Sequence, residues 1–256
     1  MNEALIILDK NDGPTSFDMV REVKRLVPGA KVGHAGSLDP FATGVLVLLL
    51  GKATKLSGAL LNADKRYRAT MKLGSATDTM DLTGSVTETK PLPDLSPEVV
   101  EATLQSFTGV WEQTAPMYSA KKIHGVRFYE LARQNIKVRR APIPVNLHEI
   151  KMLKCSPEEV EFEVHCSKGT YIRSLADEMG KRLGTVAHLT ALRRLSCGNF
   201  TLDQSVTLEE LKKDVPRYIR EGHGHYTQLL RSEGVIQRGQ PSRLQMGVSS
   251  GNSLLN

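Results

Sequence analysis

Residues Lys65 to Leu73 alternate without a break: Tyr67, Ala69, Met71 and Leu73 fall on one side, Arg66, Arg68, Thr70 and Lys72 on the other. Only extended chain sends successive side chains to opposite faces, so this segment predicts a strand with one dry face and one basic, wet face. A second alternation, Val160, Phe162, Val164 and Cys166, and a segment containing Val145 and Leu147 predict further strands. The dry face of such a sheet needs a cover, and helical patterns supply it. Thr15, with Asp18 three residues on, opens a helix that carries Phe17, Val20, Val23 and Leu26 on one face and stops at Pro28-Gly29. Ser96-Pro97 opens another, with Gly109 past its end. Ile172, Leu175, Met179 and Leu183 share a face of a third, closed by Gly184, and Thr207 with Glu210 caps a last one. Thr54–Leu61 and Phe128–Arg133 also read as helices, and Leu5–Leu8 as a short buried strand. Gly44–Leu50 is almost wholly apolar and is either a buried strand or a short core helix; its period does not distinguish them. Lys31–Pro40, Ser85–Pro93 and Tyr118–Gly125 read as loops. Neighbouring strands interspersed with helices predict an α+β protein on a mixed, largely antiparallel sheet flanked by helices.

The 256 residues allow one large domain plus a small appendage. The net charge of +6 favours a polyanionic partner, nucleic acid before a membrane surface, though the same charge also serves solubility. Cys155, Cys166 and Cys197 are odd in number and widely spaced, giving neither a disulfide framework nor a zinc knuckle. His223 and His225 have no partner ligands at metal-binding spacing, so no metal is expected. The apolar N-terminus is short, carries Glu3 and reads as a strand rather than a signal peptide. No segment offers the roughly 20 apolar residues a bilayer span requires. The expectation is a cytoplasmic monomer that contacts no membrane.

The segment Gly33-His34-Ala35-Gly36-Ser37-Leu38-Asp39-Pro40 packs two glycines, a histidine and an aspartate into eight residues ahead of a buried stretch. Glycine lets backbone approach a ligand closely, and Pro40 restricts Asp39 to extended conformations. A carboxylate held this way suits catalysis; an Asp-Pro pair also serves as an ordinary turn initiator.

Gly33 to Leu46, GHAGSLDPFATGVL, closely resembles the signature of the tRNA pseudouridine synthase B family. Five further segments resemble that family's motifs in the family's order: Lys65-Arg66-Tyr67; DTMDLTG from Asp78 to Gly84; YSAKKIHG from Tyr118 to Gly125 with Tyr129, Glu130, Ala132 and Arg133; KGTYIRSL from Lys168 to Leu175; and LTALRR from Leu189 to Arg194, followed by Gly198. The resemblance covers about residues 3 to 213. Asn11 and Ala115 stand where the family usually has proline, and Ser37 where threonine is common.

The resemblance implies the pseudouridine synthase fold and an isomerase that converts the T-loop uridine of tRNA (uridine-55) to pseudouridine after flipping it out. It casts Asp39 as the catalytic aspartate and Tyr67 as the tyrosine stacked on the target base. Arg173 becomes the partner of that aspartate, and Tyr171 and Leu192 line the uracil pocket. His34 stacks in the RNA loop, and Lys10 supports the site. Residues 1–221 would form the catalytic domain and 222–256 a short or truncated C-terminal RNA-binding segment. The partner is the T-arm of tRNA, and no cofactor is implied. Arg66, Arg68, Lys121, Lys122, Arg193 and Arg194 are the candidate phosphate contacts.

Overall fold

The computed structural model describes residues 3–119, 122–123, 126–128, 134, 136 and 140–234. Thirteen strands are present among these: β1 Ala4–Lys10, β2 Val32–Ala35, β3 Thr43–Leu50, β4 Lys65–Leu73, β5 Ser75–Thr77, β6 Val86–Thr89, β7 Gly109–Gln113, β8 Lys122–Ile123, β9 Val126–Arg127, β10 Ile143–Cys155, β11 Glu159–Cys166, β12 Ala187–Cys197 and β13 Phe200–Thr201. The helices are α1 Ser16–Leu26, α2 Ser57–Asn62, α3 Pro97–Gln105, α4 Ile172–Arg182, α5 Leu208–Lys213 and α6 Val215–Ser232. The main sheet runs β1-β3-β12-β4-β11-β10-β7, with β2 added to β3 and β13 to β12. Its pairings are antiparallel except for a short parallel contact of β3 with β12. This is the mixed, largely antiparallel α+β architecture expected.

The two halves of the sheet differ in what covers them. On β1, Ala4, Ile6 and Leu8 join one core while Leu5 and Ile7 join another; on β3, Leu46, Leu48 and Leu50 face the first and Val45, Val47 and Leu49 the second. A strand buried on both faces reads as a continuous apolar run, which is why the period of Gly44–Leu50 does not separate strand from helix. The other half is covered on one side only. Tyr67, Ala69, Met71 and Leu73 of β4 and Val160, Phe162, Val164 and Cys166 of β11 enter the first core, and the intervening residues meet water. Each fully buried aliphatic side chain in this core stabilises the fold by roughly 1.5–3 kcal/mol.

Local signals account for most boundaries. Thr15 and Asp18 form a complete capping box on α1, as do Thr207 and Glu210 on α5. The α1 stripe is Met19, Val20 and Val23, whereas Phe17 is 63% exposed and stands outside it, beneath the Arg21 guanidinium. Three segments read as loops hold strands: β2 within Lys31–Pro40, β6 within Ser85–Pro93 and β8 within Tyr118–Gly125. β2 has no apolar alternation, because its order comes from pairing with β3. α5 is not the last helix. α6 follows it, runs through residue 222 and lays Tyr226, Leu229 and Leu230 on the second core. The short helix read at Phe128–Arg133 and the C-terminal segment from 235 fall outside the described residues, apart from Phe128.

Candidate active site

The loop from Gly36 to Ala42, between β2 and β3, is fixed almost carbonyl by carbonyl. Arg194 Nη2 donates to Gly36 O at 3.0 Å and Nη1 to Ser37 O at 3.4 Å, while its Nε donates to Val45 O at 2.6 Å. Ser16 Oγ donates to Leu38 O at 3.1 Å and accepts from Leu38 N at 2.8 Å. Pro40 O accepts from Gly13 N at 3.0 Å and from Lys10 Nζ at 2.9 Å. A loop whose polar backbone groups are satisfied by buried partners holds its side chains as firmly as a strand does. Asp39 is the residue this loop presents.

Opposite the loop stands the first turn of α4. Buried Gln113 ties down its entry: Nε2 donates to Gly169 O at 2.5 Å and Oε1 accepts from Tyr171 N at 2.8 Å. Arg173 thereby faces Asp39. Its Nε lies 2.9 Å from Asp39 Oδ2, and its Nη2 donates to Asp39 Oδ1 at 3.2 Å, a two-pronged ion pair. Nη2 also donates to Tyr118 O at 2.7 Å, and Nη1 donates to Thr79 O at 2.8 Å and lies 3.4 Å from Asp81 Oδ2. Asp81 is itself buried. Its Oδ1 accepts from Thr79 Oγ1, Thr83 N and Thr83 Oγ1 at 2.7, 3.0 and 2.6 Å. The turn that carries it includes Met80 at φ 62°, the non-glycine positive φ among the described residues.

A cavity of about 370 Å³ opens in front of the ion pair, walled by His34, Asp39, Tyr67, Tyr171, Arg173 and Leu192, with Lys65, Ser119 and Arg194 also on its surface. The Asp39 side chain keeps 36% of its surface open to it, whereas that of Arg173 keeps 4%. Depth in the molecule pushes the Asp39 carboxyl above its ordinary value; Arg173 opposes this strongly, Asp81 adds to it and Lys10 opposes it. Burial pushes the Tyr67 hydroxyl up to about 12, so it keeps its proton at neutral pH. Burial, aided by Arg194, lowers the His34 imidazole and leaves it uncharged. Two buried polar atoms among the described residues find no partner, His34 Nδ1 and Ser119 Oγ, and both belong to residues of this cavity wall. Unsatisfied donors and acceptors beside a cavity mark where a polar ligand would bind.

Residues 24–172 match the TruB family pseudouridylate synthase N-terminal domain, and residues 173–232 match the tRNA pseudouridylate synthase B C-terminal domain. The chain belongs to the TruB family of pseudouridylate synthases. The tRNA pseudouridine synthase B of Enterobacter sp. (strain 638) is 45% identical over 218 residues, covering 85% of this chain and 69% of the relative. That of Vibrio vulnificus (strain YJ016) is 46% identical over 220 residues, 86% and 70% of the two lengths. Among solved structures, a chain of a Cbf5-Nop10-Gar1 complex superposes with a TM-score of 0.66 at 30% identity, over 88% of this chain and 58% of the other. A chain of an H/ACA RNP bound to a substrate RNA containing 2'-deoxyuridine gives 0.63 at 29% identity, over 86% and 58%.

Six of the seven site residues read from the TruB-like motifs meet at the one cavity: Asp39, Tyr67, Tyr171, Arg173, Leu192 and His34. Lys10 does not reach it. It is fully buried behind the loop, donating to Asn11 O and Pro40 O, and burial lowers its ammonium to about 8. The basic residues expected on phosphates fall in different settings. Arg194 is buried in the cavity wall, where its guanidinium holds the loop. Arg66 and Arg68 project from the wet face of β4, opposite to Tyr67, and each pairs with a carboxylate, Glu149 at 3.0 Å and Glu163 at 2.7 Å. Arg193 pairs with Asp9 at 2.7 Å. Lys121 and the side chain of Lys122 lie outside the described residues. Sequence reasoning gave no individual role to Asp81, Gln113 or Ser119. The DTMDLTG segment is the signal for Asp81 and YSAKKIHG the signal for Ser119; nothing local distinguishes Gln113.

Proposed function

We propose that this chain isomerises the T-loop uridine of tRNA, uridine-55, to pseudouridine, with Asp39 as the catalytic carboxylate. The observation that carries this reading is the two-pronged Asp39–Arg173 ion pair at the wall of a cavity flanked by Tyr67 and Tyr171. The reaction breaks the bond from N1 of uracil to C1′ of the ribose, turns the base and joins C5 to C1′; the C5 proton is lost to solvent and N1 takes one up. A base stacked in a folded loop must first leave the stack, which costs a few kcal/mol. The uncharged face of Tyr67 restores stacking inside the cavity, and the neutral ring of His34 fills the space vacated in the RNA. Leu192 and Tyr171 enclose the detached uracil, and the unpartnered Ser119 Oγ offers its polar edge a hydrogen bond. Arg173 keeps Asp39 ionised and aimed, whether the carboxylate attacks the sugar, attacks the ring or removes a sugar proton. Lys10 acts at one remove, by holding the Pro40 carbonyl beside Asp39.

The names of the curated relatives support tRNA as the substrate, and the substrate RNA in one of the structural neighbours supports an RNA-binding cleft. In this reading residues 1–221 carry the chemistry, 222–256 assist RNA binding, and the protein acts as a cytoplasmic monomer on the T-arm. No helix among the described residues is long and apolar enough to cross a membrane. The test is release of tritium from an unmodified tRNA transcript labelled at C5 of uridine, without guide RNA or cofactor. Wild-type protein releases tritium from the T-loop position. Asp39→Asn binds the transcript with unchanged affinity and releases none. Turnover by Asp39→Asn at the wild-type rate sinks the assignment.

A further inference from the structure

The wet face of the sheet carries a second cluster of chemistry-bearing side chains, on the side opposite the cavity. Asp64, His148 and His165 each place a ligand-capable atom so that all lie within 4.8 Å of one another. His148 Nε2 is 3.1 Å from Asp64 Oδ2, and the two imidazole rings lie 4.7 Å apart between centroids, tilted by 51°. These residues are far apart in sequence, and a backbone irregularity assembles them. The register of β10 on β11 shifts between Leu147 and Glu149, so His148 and Glu149 both face water between buried Leu147 and Ile150. In a regular strand those two neighbours would point to opposite faces. The bulge instead turns His148 toward His165, whose register partner is Glu149, while Asp64 stands just before β4. Bulges that re-aim one side chain are characteristic of functional positions.

We infer that Asp64, His148 and His165 form a binding site for a divalent ion of the Zn²⁺ class, separate from the uridine cavity. Two imidazole nitrogens and one carboxylate oxygen make a donor set that suits Zn²⁺, Co²⁺ or Ni²⁺, whereas Mg²⁺ and Ca²⁺ prefer oxygen alone. Zinc–nitrogen bonds of about 2.0–2.1 Å set donor atoms roughly 3.3–3.5 Å apart; His148 Nε2 and Asp64 Oδ2 already stand 3.1 Å apart, and the third donor, within 4.8 Å, closes by side-chain rotation. The charges around the site permit a cation. Arg66 Nη1 sits 3.0 Å from Glu149 Oε2, so its charge is met there, while Asp64 Oδ2 faces His148 Nε2. Asn146 Nδ2 lies 3.2 Å from His148 Nδ1, and a turn of that amide would let its oxygen accept the Nδ1 proton once Nε2 holds the metal. The remaining coordination positions face solvent and take water.

The test is calorimetric titration of untagged, chelator-treated full chain with ZnCl₂ at neutral pH, with MgCl₂ in parallel. One Zn²⁺ binds per chain, and Mg²⁺ gives no saturable heat. His148→Gln and His165→Gln, each checked for retained fold by circular dichroism, weaken Zn²⁺ binding by about tenfold or more, since loss of a ligand costs at least as much as loss of its supporting hydrogen bond. Cys155→Ser, which removes the half-exposed thiol, leaves it unchanged. Bound Co²⁺ gives ligand-field bands without a thiolate charge-transfer band. Absence of saturable Zn²⁺ binding, binding that survives both histidine substitutions, or binding that disappears with Cys155 overturns the inference.

Discussion

Arg173 donates hydrogen bonds to Asp39 Oδ1, Thr79 O and Tyr118 O, and its Nε and Nη1 stand 2.9 and 3.4 Å from Asp39 Oδ2 and Asp81 Oδ2 in ion-pair contact. A buried guanidinium is stable only when paired this completely, so it is held in one orientation and holds Asp39 in turn. Asp81 acts on the reaction through that arginine and through its own field, which pushes the Asp39 carboxyl upward. Replacing Asp81 by asparagine keeps an oxygen for Thr79 and Thr83 but removes a negative charge. The acid limb of the pH–rate profile marks protonation of Asp39, and with Asp81 neutral that limb moves to lower pH. Stability falls by about 1–3 kcal/mol, because Arg173 loses a charged acceptor. Single-turnover rates across the acid range, with urea unfolding alongside, measure both. A limb that moves upward, or not at all, would mean Asp81 does not act on Asp39 electrostatically.

The elements were readable to the degree that their order is local. β4 and β11 announce themselves by alternation, and α1 and α5 by their caps. β2 and β6 carry no such pattern, because pairing with β3 and β5 supplies what their sequences lack. The site divides in the same way. Asp39, Tyr67 and Arg173 were found through long, specific motifs. Gln113, Arg194 and Asp81 owe their roles to partners between 56 and 158 residues away, which no local spacing reveals. Gly44 shows why the signature motif has its form. It lies at φ 98° opposite Arg194 in the parallel contact of β3 with β12, and a Cβ there would run into the Arg194 carbonyl oxygen. The clash and the strained backbone together cost about 3–5 kcal/mol. Gly44→Ala is therefore expected to lower the urea midpoint sharply. It also loosens Asp39, since the displaced Arg194 holds the Gly36 and Ser37 carbonyls. An alanine variant with wild-type stability would show that β3 and β12 can separate at no cost.

Charge is distributed unevenly over the protein. Arg66, Arg68 and Arg193 have carboxylate partners on the wet face or the sheet edge, so the net +6 does not by itself mark an RNA surface. Lys168 differs: it is exposed between Ser167 and Gly169, both of which line the cavity, and its contact is the neutral amide of Asn62. Lys168→Gln should reduce the slope of log tRNA affinity against log salt by about 0.7–0.9, one phosphate contact, while Arg68→Gln leaves it unchanged. The reverse pattern would place the RNA on the wet face. Lys10 gives the fold a pH signature of a different kind. Its ammonium has a value of about 8 in the folded protein against 10.5 in the unfolded chain, because burial disfavours the charged form. Between those values the unfolded chain binds more protons, so stability rises with pH across that window. Below pH 8 the full cost of burying the charge is present, and above 10.5 it is absent. Lys10→Met has no proton to lose. The stability of wild type relative to Lys10→Met, from urea titrations at a series of pH values, should be flat below pH 8 and climb up to pH 10.5. A difference that stays constant across that range would mean that the Asn11 and Pro40 carbonyls keep Lys10 fully charged inside the fold.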